Sequence, residues 1–156
     1  MDSIDRNILV ALQHDGAAGL AELAKVAGLS VSATAERVKR LEERGTIRGW
    51  RADLDPAAVG CPLLAFVFVA LRAGAQEQKF REALLPLEPV LECHAVSGGW
   101  SYLLKIRVGG LSELEAFVAA EIRRRAGVER TEILLALSTV KETAILPVAP
   151  PEDEEA

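Results

Sequence analysis

The chain has 156 residues, half of them apolar and 26% charged, which is enough for one ordinary domain or two small ones. This apolar content excludes a disordered or collagen-like protein over most of the length, and a net charge of −5 argues against a uniformly basic, nucleic-acid-binding surface. The longest apolar run, Pro62 to Leu71, is shorter than the roughly 20 residues that a membrane helix needs. The first residues also lack the pattern of a signal peptide. We therefore expect a cytoplasmic protein with no membrane partner.

The two cysteines, Cys61 and Cys93, are far apart in the sequence, and the two histidines lie at no ligand spacing from them. Cytoplasmic cysteines are usually reduced thiols, and a structural metal site needs closely spaced ligands. We therefore expect neither a disulfide nor a metal, and the sequence indicates no cofactor.

Apolar residues recur at helical spacing in three segments near the start of the chain. The segments are a helix that ends before Gly16, a second from Leu20 to Ala27 and a third from Ser32 to Arg44. Gly28 lies in the short turn between the second and third helices, an arrangement typical of a helix-turn-helix. Thr46 to Ala52 alternates enough to predict a short strand, or wing, and Asp55-Pro56 indicates a domain boundary.

The remainder predicts the order strand, helix, strand, strand, helix, strand. These elements are Leu63–Leu71, Gln76–Leu87, Val90–Val96, Tyr102–Val108, Leu111–Ala126 and Glu132–Lys141. The first strand is a continuous apolar run, which predicts burial on both faces. The fold class is therefore α+β, a winged helix-turn-helix followed by a ferredoxin-like βαββαβ domain. We assign residues 1–52 to DNA binding, 53–61 to a linker, 62–146 to the ferredoxin-like domain and 147–156 to an acidic disordered tail.

The third helix carries a basic stripe. Between Ser30 and Ala52 there are six Arg or Lys and three Glu, a local balance of +3. Arg37, Arg40 and Arg44 lie within about 60° of one another on the helix, and a helix-turn-helix places its second helix in the major groove. The alternative is a solvated face stabilised by pairs such as Glu36 with Arg40. The predicted DNA-binding residues are Ser30, Ser32, Ala33, Thr34, Arg37, Lys39, Arg40, Arg44 and Arg48.

Several short strings, taken in their order and spacing, resemble the Lrp/AsnC (feast/famine) family of transcriptional regulators. They are Ile4–Leu9, Glu22–Ala24, Gly28–Ser30, Arg37–Glu42, Gly45–Ile47, Leu54–Pro56, Gly60, Val96–Gly98, Tyr102–Leu104 and Ser138–Lys141. The resemblance covers nearly everything from Asp5 to about Glu142.

The resemblance implies a DNA-binding domain joined to an effector domain that dimerises through its sheet and commonly assembles into octamers. It also implies that amino acids or related molecules bind near the loop between the second and third strands. Carried over, the effector-binding residues are Ser97, Gly98, Gly99, Trp100, Ser101 and Tyr102. Ser101 stands where the family often has an acidic residue, and a hydroxyl cannot supply a charge to an ammonium group. The alternative is that Gly98-Gly99 is only a hairpin turn.

These features predict a sequence-specific transcriptional regulator that binds double-stranded DNA under the control of a small-molecule effector, and no enzyme. Two alternatives share the architecture. One is an enzyme similar to the siroheme decarboxylases, which grip an anionic tetrapyrrole with histidine and basic residues, although only two histidines are present. The other is a DNA-compacting architectural protein without an effector, which would show little sequence preference.

Overall fold

The computed structural model describes residues 1–148, and the chain divides into two compact units. Of the described residues, the first unit contains 1–53 and 141–148, and the second consists of Leu54–Val140. Residues 141–146, which the sequence grouped with the ferredoxin-like domain, thus pack with the first unit. In that segment the Leu146 backbone N–H donates to the side-chain amide of Gln13, and the same amide donates to the Leu146 carbonyl. The predicted tail lies outside the described residues from position 149.

The first unit contains the three predicted helices. They are α1 (Ser3–His14), α2 (Leu20–Ala27) and α3 (Val31–Glu43). The side chain of Asp2 caps α1 by accepting the Asp5 backbone N–H at 2.8 Å. Gly28 ends α2 in the left-handed conformation, with φ 65°, which glycine adopts without the strain of a β-carbon. Ser30 then caps α3. The predicted helix-turn-helix is confirmed.

One apolar stripe from each helix meets in a small common core. The buried members are Ile8, Leu12, Leu23, Ala27 and Leu41. Because α3 contributes Leu41 and the half-buried Val38 to this core, one side of α3 faces inward and its opposite side faces solvent.

The predicted strand from Thr46 to Ala52 does not form, and this prediction was wrong. The segment is irregular, with positive φ angles at Gly45 and Gly49, and a strand needs a neighbouring strand to pair its backbone groups. The segment instead lies along the first unit, where the Trp50 indole N–H donates to Glu42 at 2.9 Å and Ile47 packs on the core.

The second unit has the ferredoxin-like order of elements. They are β1 (Leu63–Leu71), α4 (Glu77–Leu84), β2 (Val90–Ala95), β3 (Tyr102–Val108), α5 (Leu111–Phe117) with a π-helical continuation (Val118–Arg123), and β4 (Val128–Leu135). The four strands form one sheet in the order β2-β3-β1-β4, with antiparallel neighbours throughout. The predicted βαββαβ plan is confirmed.

The main boundary error concerns β4, which was expected at Glu132–Lys141. β4 begins directly after the turn at Gly127 and runs along β1 from the Leu71–Val128 pair to the Ala65–Leu135 pair. β1 continues for two more residues, to Leu63, but after Ala136, whose backbone N–H donates to the Leu64 carbonyl at 3.0 Å, the chain leaves the sheet. A strand lasts only as long as a neighbouring strand pairs its backbone groups.

Both helices cover the same face of the sheet, where the core of the second unit lies. On β1, Ala65, Val67 and Val69 are fully buried in that core, whereas Phe66 and Phe68 point to the other face and stay half-exposed. The prediction that β1 is buried on both faces is therefore wrong for the single chain. We call the surface around Phe66 and Phe68 the open sheet face. No helix among residues 1–148 is long and apolar enough to cross a membrane.

Candidate nucleic-acid interface and effector site

The structure brings the three arginines of the predicted stripe together on α3. Arg37, Arg40 and Arg44 line one small cavity with Asp5 and Leu41, of about 30 Å³, which is room for about one water molecule. The helical spacing thus produces a real cluster of guanidinium groups on one side of α3.

Within this cluster, Arg37 is bound to the start of α1. Its Nη1 donates to Asp2 at 2.6 Å and to Asp5 at 2.7 Å. The bond to the Asp5 backbone and then the bond to Arg37 hold the pKa of the Asp2 carboxyl below its ordinary value. The hydrogen bonds to the carboxylates of Asp2 and then of Asp5 raise the pKa of Arg37. Arg37 therefore fixes α3 against α1, a positioning role that the stripe alone did not indicate.

The other cations of the predicted interface face solvent. Arg40 and Lys39 form pairs one helical turn away, with Glu36 at 3.4 Å and Glu43 at 3.7 Å. Exposed pairs of this kind contribute little, so an approaching phosphate can replace them at low cost. Arg44 and Arg48 are exposed and have no carboxylate partner within residues 1–148.

One of the DNA contacts predicted at the N-terminal end of α3 is wrong. Ser30, Ser32 and Ala33 are exposed, and the Ser30 hydroxyl accepts the Ala33 backbone N–H. Thr34 is fully buried, and its hydroxyl donates to the Ser30 carbonyl at 3.0 Å. A side chain enclosed by the domain cannot reach a base edge, so Thr34 is a structural residue.

The predicted effector loop, Ser97–Ser101, forms the connection between β2 and β3. Gly98 takes a positive φ of 97°. The Ser101 backbone N–H donates to the Val69 carbonyl at 2.9 Å, and the Ser101 hydroxyl accepts the Leu71 N–H at 3.0 Å. The loop is thus tied to the end of β1, and part of the bonding capacity of Ser101 is used by the fold.

Trp100 is the main side chain that the loop presents. Its ring packs on Phe68, with centroids 5.5 Å apart, and the guanidinium of Arg130 lies 4.2 Å from the ring centroid. Arg130 also donates to the Gly99 carbonyl at 3.0 Å. The sequence alone does not indicate Arg130, because only the pairing of β4 with β1 brings it to a loop some thirty positions earlier.

Tyr102, predicted to bind the effector, faces the helices instead. It is 2% exposed, and its hydroxyl donates to Glu77 and accepts from Arg81. Strand alternation sends neighbouring side chains to opposite faces of the sheet. Tyr102 therefore belongs to the core and is not a ligand contact. Among the residues that the structure describes, no three of His, Cys, Asp and Glu are grouped to hold a metal ion.

Comparison with protein families matches both units of the chain. Residues 1–42 match the AsnC-type helix-turn-helix domain, and residues 64–146 match the Lrp/AsnC ligand binding domain. The leucine-responsive regulatory proteins of Klebsiella pneumoniae and Escherichia coli (strain K12) are each 41% identical over 145 residues, 92% of this chain and 88% of theirs.

Solved structures give the same result. A transcriptional regulator from Neisseria meningitidis, crystallised in complex with L-Met, has a TM-score of 0.89 and 30% identity over 94% of this chain and 96% of that one. The leucine response regulatory protein of Mycobacterium tuberculosis has a TM-score of 0.81 and 39% identity over 91% of this chain and 96% of that one.

We expect Arg37→Ala to destabilise the first unit by about 2 kcal/mol, because it leaves the buried Asp5 carboxylate without its charged partner. Urea unfolding followed by Trp50 fluorescence in a Trp100→Phe background measures this unit. Arg40→Ala, which removes only an exposed pair, is the matched control and should change stability by less than about 0.5 kcal/mol. Equal effects of the two substitutions would contradict the assigned role of Arg37.

Asp2→Asn tests the ionic part of the same contact, since asparagine remains a good helix cap. The folded-state pKa of Asp2 is lowered, so its ionised form stabilises the fold above the unfolded pKa of about 4, and this contribution is lost as the pH falls. The side chain is half-exposed, so the difference from wild type at pH 7 should be about 0.5 kcal/mol. Stability curves at several pH values should show the difference closing towards pH 3, and a difference independent of pH would be the contrary result.

Proposed function

Because the chain belongs to the Lrp/AsnC family of transcriptional regulators, we propose that α3 reads double-stranded DNA and that a small-molecule effector controls this binding. The observation that carries the DNA-binding part is the exposed cation set of Arg40, Arg44 and Arg48 on and after the second helix of the helix-turn-helix. Arginines on a recognition helix contact guanine edges or phosphates. Arg37 positions the helix, and Lys39 contributes to the positive field.

The proposed assembly is a homodimer formed through the open sheet face, with further association to an octamer. Phe66, Phe68 and Leu103 remain half-exposed there, and Leu134 is 43% exposed. Charged side chains lie between them, since Lys105 pairs with Phe66 and Glu132 with Phe68. Large apolar side chains left uncovered on a sheet face, with charged residues around them, are typical of an interface. A two-fold dimer would place two α3 helices on half-sites about one helical turn of DNA apart, or a multiple of it.

The proposed effector is an amino acid or a related metabolite that binds at the Ser97–Ser101 loop. Support comes from the match of the second unit to a ligand binding domain and from the relative solved with L-Met. Effector binding would change the affinity for DNA by altering the dimer or its association, and such coupling is typically about 1–3 kcal/mol.

An enzymatic role has less support. The regulators described above are similar over most of the chain, and the two histidines, His14 and His94, lie in different units. We therefore propose that the protein is a cytoplasmic regulator and not an enzyme. A purely architectural protein would bind unrelated DNA sequences equally.

We expect Arg40→Ala/Arg44→Ala to lower affinity for the upstream region of its own gene by at least about 2 kcal/mol, or about thirtyfold. If both side chains contact phosphates, the salt dependence of log K should also become shallower by about 1.8. Fluorescence anisotropy titrations at several salt concentrations measure both quantities. Arg72→Ala/Lys79→Ala, which removes the same charge from exposed positions of the second unit, is the control and should bind like wild type.

The proposal fails if the α3 variant keeps wild-type affinity and selectivity. It also fails if both double variants weaken binding equally, since a non-local charge effect would then account for the loss. Equal wild-type binding to the upstream region and to scrambled DNA would favour the architectural alternative.

The dimer is tested by placing a charge on the open sheet face. Phe66→Lys should give a folded monomer at concentrations where the wild type sediments as a dimer or larger, because an unpaired charge is costly in an apolar interface. Leu85→Lys alters a leucine that is 84% exposed at the end of α4 and is the control. Sedimentation velocity with far-ultraviolet circular dichroism separates dissociation from unfolding. A monomeric wild type, or an unchanged Phe66→Lys variant, would exclude this interface.

A further inference from the structure

Arg130 has an unusual environment for a surface arginine. Its guanidinium lies over the Trp100 ring and donates one bond, to the Gly99 carbonyl. It has no carboxylate partner among residues 1–148. A guanidinium has five N–H donors, and stacking on an aromatic ring leaves the donors at its edge available. The Arg130 guanidinium is thus fixed in position and still has N–H donors available for a ligand.

The surface beside Arg130 is apolar and fixed in place. Trp100 packs on Phe68 of β1, and the loop that carries Trp100 is bonded to the end of β1 through Ser101. A preformed apolar wall next to a charged group lowers the ordering cost of binding a small molecule.

Arg130 also borders a wide-open cleft. The other lining residues are Arg123, Val128, Glu129 and Thr131, so the cleft lies along β4, on the side of Arg130 away from Trp100, which is not among its lining residues. Arg130 pairs with Ala70 near the end of β1. The cleft is therefore at the margin of the sheet, away from Phe66 near its centre.

The charges of this site favour an anion. The loop Ser97–Ser101 contains no acidic residue, so it offers no carboxylate to an ammonium group, while Arg130 offers a guanidinium suited to a carboxylate. Two acidic residues lie beside it. Glu129 lines the same cleft as Arg130, and Glu132 is exposed on β4, pairs with Phe68 and lies on the same face as Arg130 by strand alternation.

We propose that Arg130 binds the carboxylate of the effector, that the apolar body of the effector lies against Trp100, and that recognition does not depend on an ammonium group. The effector class is then small carboxylates with an apolar body, of which α-amino acids and their 2-oxo acids are two sources. This inference rests on the proposed effector site at the loop and adds the residue that selects the ligand.

Four compounds with the same branched apolar end test the proposal: L-leucine, 4-methyl-2-oxopentanoate, 4-methylpentanoate and 3-methylbutylamine. Titrations of the full chain in a Trp50→Phe background follow Trp100, which is then the remaining tryptophan, and calorimetry checks the affinities. We expect the three carboxylates to bind within about fivefold of one another and the amine to bind at least about tenfold more weakly.

Substitutions at Arg130 identify the group responsible. Arg130→Gln should weaken binding of all three carboxylates by at least about tenfold, and Arg130→Lys should restore part of the loss because it keeps the charge. Glu132→Gln, two residues along the same strand, is the matched control and should leave all affinities unchanged.

Gly99 allows a second, independent test. A β-carbon at position 99 would lie 3.8 Å from the Arg130 guanidinium, and Gly99 has no left-handed φ, so a side chain fits. Gly99→Asp would supply an internal carboxylate to Arg130 and should weaken ligand binding by at least about tenfold, whereas Gly99→Asn, of the same size without the charge, should weaken it less.

Three results would overturn the proposal: unchanged affinities in Arg130→Gln, binding of L-leucine alone with a loss in Glu132→Gln, or no binding of any of the four compounds. A DNA titration of each variant keeps this separate from the proposed function. Selective DNA binding with ligand affinity independent of Arg130 contradicts only the role of Arg130. Absence of selective DNA binding by the wild type contradicts the regulator itself.

Discussion

The contact of Arg37 with Asp2 and Asp5 fixes the position of α3, and with it the side of the helix that faces a partner. A helix of 13 residues has to bury one side in the small core of the first unit and expose the other side to a partner. By binding the start of α1, Arg37 fixes the position of α3 through charged hydrogen bonds as well as through Leu41. Arg40 and Arg44 then project from a helix held at two places.

The second unit depends on a different asymmetry. Both helices pack on one face of the sheet, so the apolar side chains of β1 divide into a buried set and a half-exposed set. The half-exposed set is the proposed dimer interface, and the Trp100 and Arg130 pair lies at its margin. An effector bound there would lie close to the proposed dimer interface. Its binding could then change how two chains associate, and with that the distance between their two α3 helices.

Local sequence patterns predicted most of the fold, because helix caps, apolar periodicity and glycine turns act within a few residues. Gly28 and Ser30 are examples, and both lie where the helix-turn-helix needs them. The wrong predictions concern features that depend on pairing between strands far apart in the sequence. Thr46–Ala52 pairs with no strand among residues 1–148, β4 leaves β1 after Leu135, and Tyr102 faces the helices because of its place in the sheet. Arg130 reaches Gly99 only through the pairing of β4 with β1, which a single sequence does not reveal.

Whether α3 reads DNA sequence is tested most directly by the DNA binding of the wild-type protein. The measurement is a titration of the full chain on the upstream region of its own gene and on a scrambled duplex of equal length and composition, at several salt concentrations. We predict tight binding to the first that weakens steeply with salt, and affinity at least about a thousandfold lower for the second. Equal affinity for both duplexes at every salt concentration would contradict sequence-specific recognition.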